Sequence, residues 1–371
     1  MTKKFSILTL LFAALLVNAK NPQQEVITKS LSAVKGGTLE VKLNPGDIYI
    51  KTWDKNEVLV KVDGLDEEEA KELEFSERNG NVKVTFEGKW GWGRNADYYF
   101  TIPTSYNVEV YTTGGNIKVQ DNIGGDISVE TMGGDIELCA VSGNAKIETM
   151  GGDIEMTDVA GTSYISTQGG DIRAGNLKGN TKELRTMGGD IDIKSINEVK
   201  NVTTYGGDIT IDKAGKNIDV KTFGGNITIN DCIEGAKVET YGGSIFVRNA
   251  NGMVDASSAG GNITLKNITG AIRARTGAGD IEVELKANSN LESDIRTASG
   301  DIELIVLPGS KMTIQAQVDS YYDSARSSIR SDYEGKISKN RGDVNGEFKV
   351  NGGGPEVKVR ATNGKISIQK K

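Results

Sequence analysis

A corner motif, Thr-x-Gly-Gly-Asp-Ile, recurs along this 371-residue chain; its plainest copy is "TMGGDI" at 149–154. Paired glycines or their variants fall at 114, 124, 133, 151, 169, 188, 206, 224, 242 and 260. The series continues with Ala278-Gly279 and Ser299-Gly300, and from 133 to 278 the step is 18 residues with a single 19. A weaker glycine signal lies midway, at 143, 161, 179, 215, 235, 252 and 270, so each unit reads as two short arms and two turns. One such unit cannot bury its own apolar face. Self-similarity at this period therefore demands stacked rungs.

The arms alternate as strands do. After each glycine pair comes polar-Ile-x-apolar, giving the column Ile136, Ile154, Ile172, Ile191, Ile209, Ile227, Ile245, Ile263 and Ile281. Two residues on stand Leu138, Met156, Ala174, Ile193, Ile211, Ile229, Val247, Leu265 and Val283. Period two puts both columns on one face. The other arm ends in Ile147-x-Thr149, Ile165-x-Thr167, Leu184-x-Thr186, Val220-x-Thr222 and Val238-x-Thr240. Equivalent residues then stack ~4.8 Å apart on parallel ladders. The expected fold is all-β, a right-handed parallel β-solenoid (β-helix) with about 18 residues per rung and strand-rich caps at both ends. A left-handed hexapeptide helix shares the period but needs apolar residues at multiples of six. Ile136, Ile147, Ile154 and Ile165 are separated by 11, 7 and 11, so that alternative fails.

Cys139 and Cys232, the two cysteines of the chain, would sit about five rungs apart, or roughly 24 Å. A disulfide needs Cα atoms within about 7 Å. They are expected to be unpaired.

Residues 1–19 read as a cleavable secretory signal: basic Lys3-Lys4, an apolar run from Phe5 to Val17, and a cut after Ala19. The run is too short for an anchor, no second run of membrane length follows, and no cysteine flanks the cut for lipid attachment. The chain is expected to be exported, to the periplasm, the cell surface or the medium. Removing two lysines moves the formal charge from -7 to roughly -9. Without a basic block, no nucleic-acid partner is expected. Histidine is absent, which removes the commonest general base and the usual zinc ligand. No phosphate loop of the Gly-x-x-x-x-Gly-Lys-Ser/Thr form occurs either.

The rhythm changes at both ends. Residues 20–112 read as an N-terminal β-strand cap region with a brief helix from Asp66 to Leu73; residues 113–302 are the solenoid repeats, roughly ten rungs; residues 303–371 are C-terminal strands and a cap. Caps hide the strand edges that an open solenoid would otherwise present.

The segments "GGTLEVKLNPGDIYIKTWD", "YYFTIPTSYNVEVYTTGGNIKV", the "GGDI" rungs and the closing "GGGPEVKVRATNGKISI" together resemble the "putative adhesin" family of bacterial exported β-strand-repeat proteins, a domain of unknown function. The resemblance covers nearly all of the mature chain and implies a β-solenoid. It brings no catalytic residues.

Four features invite a functional reading. The column Asp126, Asp135, Asp153, Asp171, Asp190, Asp208, Asp280 and Asp301 suggests a row of cation sites, yet the third glycine of calcium-binding solenoid repeats is missing. Asn116, Asn226, Asn262 and Ser244 stand at the aspartate position in other corners, and all three residue types accept a turn N–H. Turn capping is the stronger reading, and no metal or cofactor is expected. Stacked acids such as Glu137 and Glu155 reach the ~5 Å spacing of retaining glycosidases, but stacking alone produces that spacing.

The residues before the glycine pairs, Met132, Met150, Gln168, Met187, Tyr205, Phe223 and Tyr241, face outward if the alternation holds. They would form an apolar contact strip; the weightier alternative is that the corner folds them back over the core or a cap. Finally "KWGWGRNADYY" carries Trp90, Trp92 and Arg94, rings suited to sugar faces or, with more weight, to cap packing.

The expected function is non-enzymatic: an adhesin-like binding or scaffold protein of the cell envelope, contacting a glycan or protein surface through Trp90, Trp92, Arg94, Met187, Tyr205, Phe223 and Tyr241. The rivals are a polysaccharide-degrading parallel β-helix enzyme and a purely structural or stress-linked envelope protein.

Overall fold

The computed structural model describes residues 25–88, 96–216, 218–287, 291–319, 328–340 and 343–371. The signal-like segment 1–19 and the loop carrying Trp90, Trp92 and Arg94 lie outside the described residues. The architecture is all-β. Among the described residues the one helical element is a 3-10 turn, Glu69–Glu72, within the span where a brief helix is expected. Its start is held reciprocally: Glu68 and Glu69 N–H groups donate to the Asp66 carboxylate at 2.8 Å, and the Asp66 N–H donates to the Glu69 carboxylate at 3.0 Å.

The chain divides into two compact units, Met1–Cys139 and Ala140–Lys371. The first unit mixes strand directions. Glu25–Ser32 runs antiparallel to Glu57–Leu65, which is antiparallel to Asp97–Pro103, and Leu73–Arg78 is antiparallel to Asn81–Phe86. Parallel ladders join Thr38–Leu43 to Asn107–Thr112 and Ile127–Thr131 to Asn107–Thr112. Alternate side chains enter the core, as with Leu39, Val41 and Leu43. Two tyrosines are buried among them. The Tyr106 hydroxyl donates to the Gly80 carbonyl, and burial, aided by nearby Glu77, pushes its pKa up to about 12. Burial also raises Tyr98, whose hydroxyl has no partner among the described residues.

In the second unit the isoleucines of the sequence column stand beside one another. Ile154 pairs with Ile172, and the register continues through Ile191, Ile209, Ile227, Ile245, Ile263, Ile281 and Ile302. All are buried, as are Met156, Ala174, Ile193, Ile211, Ile229, Val247, Leu265 and Val283. The second arm keeps step: Ile218, Val220 and Lys221 pair with Ala236, Val238 and Glu239. Antiparallel pairing enters where Asp343–Val350 lies between Met312–Asp319 and Gly335–Asn340.

Gly143, Gly161, Gly252 and Gly270 lie at bends between strands, as the expected second turn requires, whereas Gly179 and Gly215 lie inside strands. A single strand, Ile172–Arg185, runs straight through Gly175 and Gly179. A Cβ at Gly175 would fall 1.8 Å from the Thr157 carbonyl oxygen, and one at Gly179 would fall 2.0 Å from that of Gly161. These glycines let the backbone bend while neighbouring strands stay close enough to pair, with a register shift between Leu177 and Asn180. Both cysteines are free, Cys139 half-buried and Cys232 buried. Burial raises the Cys232 thiol pKa.

Candidate binding surface at the glycine corners

Each letter of the corner motif has a physical reason. The second glycine is steric: a Cβ on Gly170, Gly189, Gly207 or Gly225 would lie 2.1–2.2 Å from the carbonyl oxygen of the corner one step earlier. The first glycine is looser, with 3.2 Å at Gly169 and 3.0 Å at Gly224. Its N–H donates to the residue before the preceding pair, as in Gly206 N–H to Met187 O at 3.1 Å and Gly224 N–H to Tyr205 O at 3.0 Å.

The threonine points inward and is buried, as period two requires. Its hydroxyl donates to the earlier corner: Thr167 to Gly152 O, Thr186 to Gly170 O, Thr204 to Gly189 O, Thr222 to Gly207 O and Thr240 to Gly225 O, all at 2.8–2.9 Å. The same oxygen accepts the N–H of the second glycine in its own corner, at 3.3 Å for Gly225 on Thr222. Sequence reasoning placed the threonine on the inner face but missed this pair of hydrogen bonds, one donated and one accepted by the same hydroxyl. The signal was there, because the position accepts serine at Ser258 and keeps the bond, Ser258 Oγ to Gly243 O at 2.9 Å.

The aspartate caps the following turn. Asp171 N–H donates to Asp153 Oδ1 at 2.8 Å, Asp190 N–H to Asp171 Oδ1 at 2.8 Å, Asp208 N–H to Asp190 Oδ1 at 2.7 Å and Asn226 N–H to Asp208 Oδ1 at 2.7 Å. The line continues through Asn226, Ser244, Asn262, Asp280 and Asp301 to the Lys365 N–H. Turn capping therefore accounts for the column, including its neutral members.

The remaining corner position turns outward. In the first unit Met132 is exposed, its sulfur 3.9 Å from the Tyr111 hydroxyl. In the second unit Met150, Gln168, Met187, Tyr205, Phe223 and Tyr241 are all exposed, from 36% for Phe223 to 50% for Tyr241 among the apolar members. The corner does not fold them over the core. Three of them form one ring stack: Tyr205 and Phe223 have centres 4.7 Å apart at 3° between planes, and Phe223 and Tyr241 have 5.1 Å and 2°. The ring spacing follows the strand spacing of ~4.8 Å.

Cations flank the stack from positions two residues before a corner side chain, Arg185 before Met187 and Lys221 before Phe223. Arg185 lies 5.3 Å from the Tyr205 ring centre and donates to its hydroxyl at 3.4 Å. Lys221 Nζ is 4.9 Å from the Phe223 centre, 5.2 Å from that of Tyr241, and 3.2 Å from Glu239. Both flanking cations were missed in the sequence, although Arg185-Thr-Met187 and Lys221-Thr-Phe223 show the period-two signal.

A concavity of about 500 Å³ elsewhere in the second unit is lined by Asp280, Glu282, Asp301, Glu303, Arg330 and Lys365 among others. Its aspartates serve as corner caps, and Glu282 lies 3.4 Å from Lys266.

Parallel ladders carrying a motif-built corner, with an apolar strip displayed along it, define an all-β repeat protein. The chain belongs to the Toastrack DUF4097 family, which it matches over residues 38–266 and again over 183–347. There is no match among curated proteins. Solved structures similar to it include a "putative cell adhesion protein" from Clostridium sporogenes, 11% identical at a TM-score of 0.19, covering 94% of this chain and 100% of that one. Another is a "putative adhesin" from Bacteroides fragilis, 13% identical at 0.20, covering 95% and 98%. A third is a "putative lipid binding protein" from Parabacteroides distasonis, 12% identical at 0.20, covering 94% and 97%.

Proposed function

We propose that this protein is a non-enzymatic binding protein of the bacterial cell envelope, and that its contact surface is the corner strip formed by Met187, Tyr205, Phe223 and Tyr241. The observation that carries the reading is the exposure of these four side chains in one register. Apolar side chains exposed to water gain stabilisation when a partner buries them, and aligned rings lose little entropy in the process. Scattered surface hydrophobes need no explanation, but a contiguous line of them marks an interaction site.

The reading takes the ladders as turns of a right-handed solenoid of about 18 residues, with strand caps at 20–112 and 303–371, and it takes residues 1–19 as an export signal. Register offsets such as Ile209 to Ile227 to Ile245 support that period. Trp90, Trp92 and Arg94 are a second candidate contact, near the strand Asp97–Pro103 in sequence.

The test is pull-down of envelope and host-surface fractions by the mature chain, compared with Tyr205→Ala, Phe223→Ala and Trp92→Ala. The expected result is binding that falls about tenfold for the strip variants, a loss typical of an aromatic anchor, with no change in melting temperature. Unchanged binding in both Tyr205→Ala and Phe223→Ala would remove the strip from the reading.

A further inference from the structure

The ring stack is not equivalent at its two ends. Phe223 has a ring on each face. Tyr205 has Arg185 at 5.3 Å from its centre on the side away from Phe223, the side on which Met187 also stands one corner earlier. Tyr241 has Phe223 on one face only. Lys221 does not cover the other: its ammonium is 4.9 Å and 5.2 Å from two ring centres that are themselves 5.1 Å apart. A point so placed lies beside the pair and not beyond Tyr241.

What lies beyond Tyr241 is fixed by the next corner. Thr240 pairs with Ser258, so the residue one step on is Ala259, and the one after it is Gly277. Ala259, Gly260 and Gly277 are exposed. The ladder of large side chains therefore stops at Tyr241 and leaves a shelf one to two strand spacings high, ~5–10 Å. A single ring continuing the stack would occupy the level of Ala259.

One wall of the shelf is polar. Glu239, Ser257 and Arg275 are in register on adjacent strands, two residues before Tyr241, Ala259 and Gly277 respectively. Glu239 holds Lys221, and Arg275 reaches Asp294 at 2.9 Å. The Ser257 hydroxyl, at the level of Ala259, has no partner among the described residues. A ring placed there meets an apolar aromatic face below and hydrogen-bonding groups at its rim.

We propose that the open face of Tyr241 is a subsite for one pyranose ring of a glycan, seated over Ala259. A pyranose is the ring with both required surfaces, a C–H face to lie on the phenol ring and equatorial hydroxyls to reach Ser257, Glu239 and Arg275. An aromatic side chain of a protein partner would match the first surface and leave the second without partners. The proposal rests on the reading of the corner strip as a contact surface, and it narrows that surface to one end and one ligand class.

The experiment measures calorimetric affinity of the mature chain for β-linked tetrasaccharides of glucose, galactose and N-acetylglucosamine, and for a tyrosine-containing pentapeptide. Three proteins are compared: the unaltered chain, Tyr241→Ala and Ala259→Leu. The leucine fills the shelf without altering any ring, and the equivalent position holds Met187, Phe223 and Tyr241 in other corners. The expected result is binding of at least one saccharide, lowered about tenfold in both variants with unchanged melting temperatures. Saccharide affinity that survives Ala259→Leu overturns the subsite, even where Tyr205→Ala lowers envelope binding. Binding of no saccharide overturns it as well, and capture of the pentapeptide alone assigns the shelf to a protein partner. Loss in Ala259→Leu without loss of envelope binding in Tyr205→Ala and Phe223→Ala supports the subsite and refutes the wider strip.

Discussion

A side chain on Gly170 would have to occupy the space of the Gly152 carbonyl oxygen, 2.2 Å from where its Cβ would stand. Backbone atoms paired on both sides cannot retreat cheaply, so the corner excludes even a methyl group. Gly170→Ala is expected to cost about 1–3 kcal/mol, the usual range for overpacking. Gly169→Ala, whose Cβ would meet the Gly151 oxygen at 3.2 Å, should cost well under half as much. Denaturant unfolding of the two single variants measures the difference, and equal losses would show that the asymmetry of the pair is not steric.

Thr222 links its own corner to the one before it through a single oxygen. Thr222→Val keeps the shape but leaves the Gly207 carbonyl and the Gly225 N–H without that partner, at an expected cost of about 1–3 kcal/mol. Thr222→Ser keeps both bonds and loses one methyl group, near ~0.8 kcal/mol. Valine less damaging than serine in equilibrium unfolding would mean that packing, and not the hydroxyl, holds the corner.

Asp190 accepts the Asp208 N–H and lies between Asp171 and Asp208 in the capping line. Stacked carboxylates repel by about 1 kcal/mol per neighbouring pair even in water. Asp190→Asn keeps the acceptor and relieves two repulsions, so its melting temperature should equal or slightly exceed that of the unaltered chain. Asp190→Ala should lose about 1 kcal/mol, as capping residues do. A large calcium-dependent rise in melting temperature that Asp190→Asn abolishes would contradict the capping assignment.

Tyr98 and Tyr106 are raised from an ordinary value of 10.0, Tyr106 to about 12, chiefly by burial. A neutral acid with a raised folded-state pKa contributes stability that is complete below the unfolded value. That contribution is lost as pH climbs through the folded one. The Tyr106 contribution should therefore begin to fall above pH ~10, fall most steeply midway to ~12, and be largely gone above it. Near-ultraviolet titration should show the exposed tyrosines ionising first, with the last tyrosinates appearing together with unfolding. Tyr106→Phe should flatten the loss of stability over that interval.

Much of this was legible in the primary structure. The columns of isoleucine were readable because a side chain in a strand alternates faces with period two, and because a short repeat has no core except the one it shares with its neighbours. Glycine at the corners, threonine inside and aspartate at the turn also followed from residue chemistry. The sequence could not say which way the corner side chains point. Tyr205, Phe223 and Tyr241 fit an inward or an outward corner equally well as letters, and only the backbone path through Gly206, Gly224 and Gly242, held by bonds to the preceding step, sends them outward. The parallel face-on stacking of those rings, and its end at Ala259, were likewise decided in three dimensions. A ring face is open or closed according to what stands 5 Å away across a strand gap, and that neighbour is eighteen residues distant along the chain.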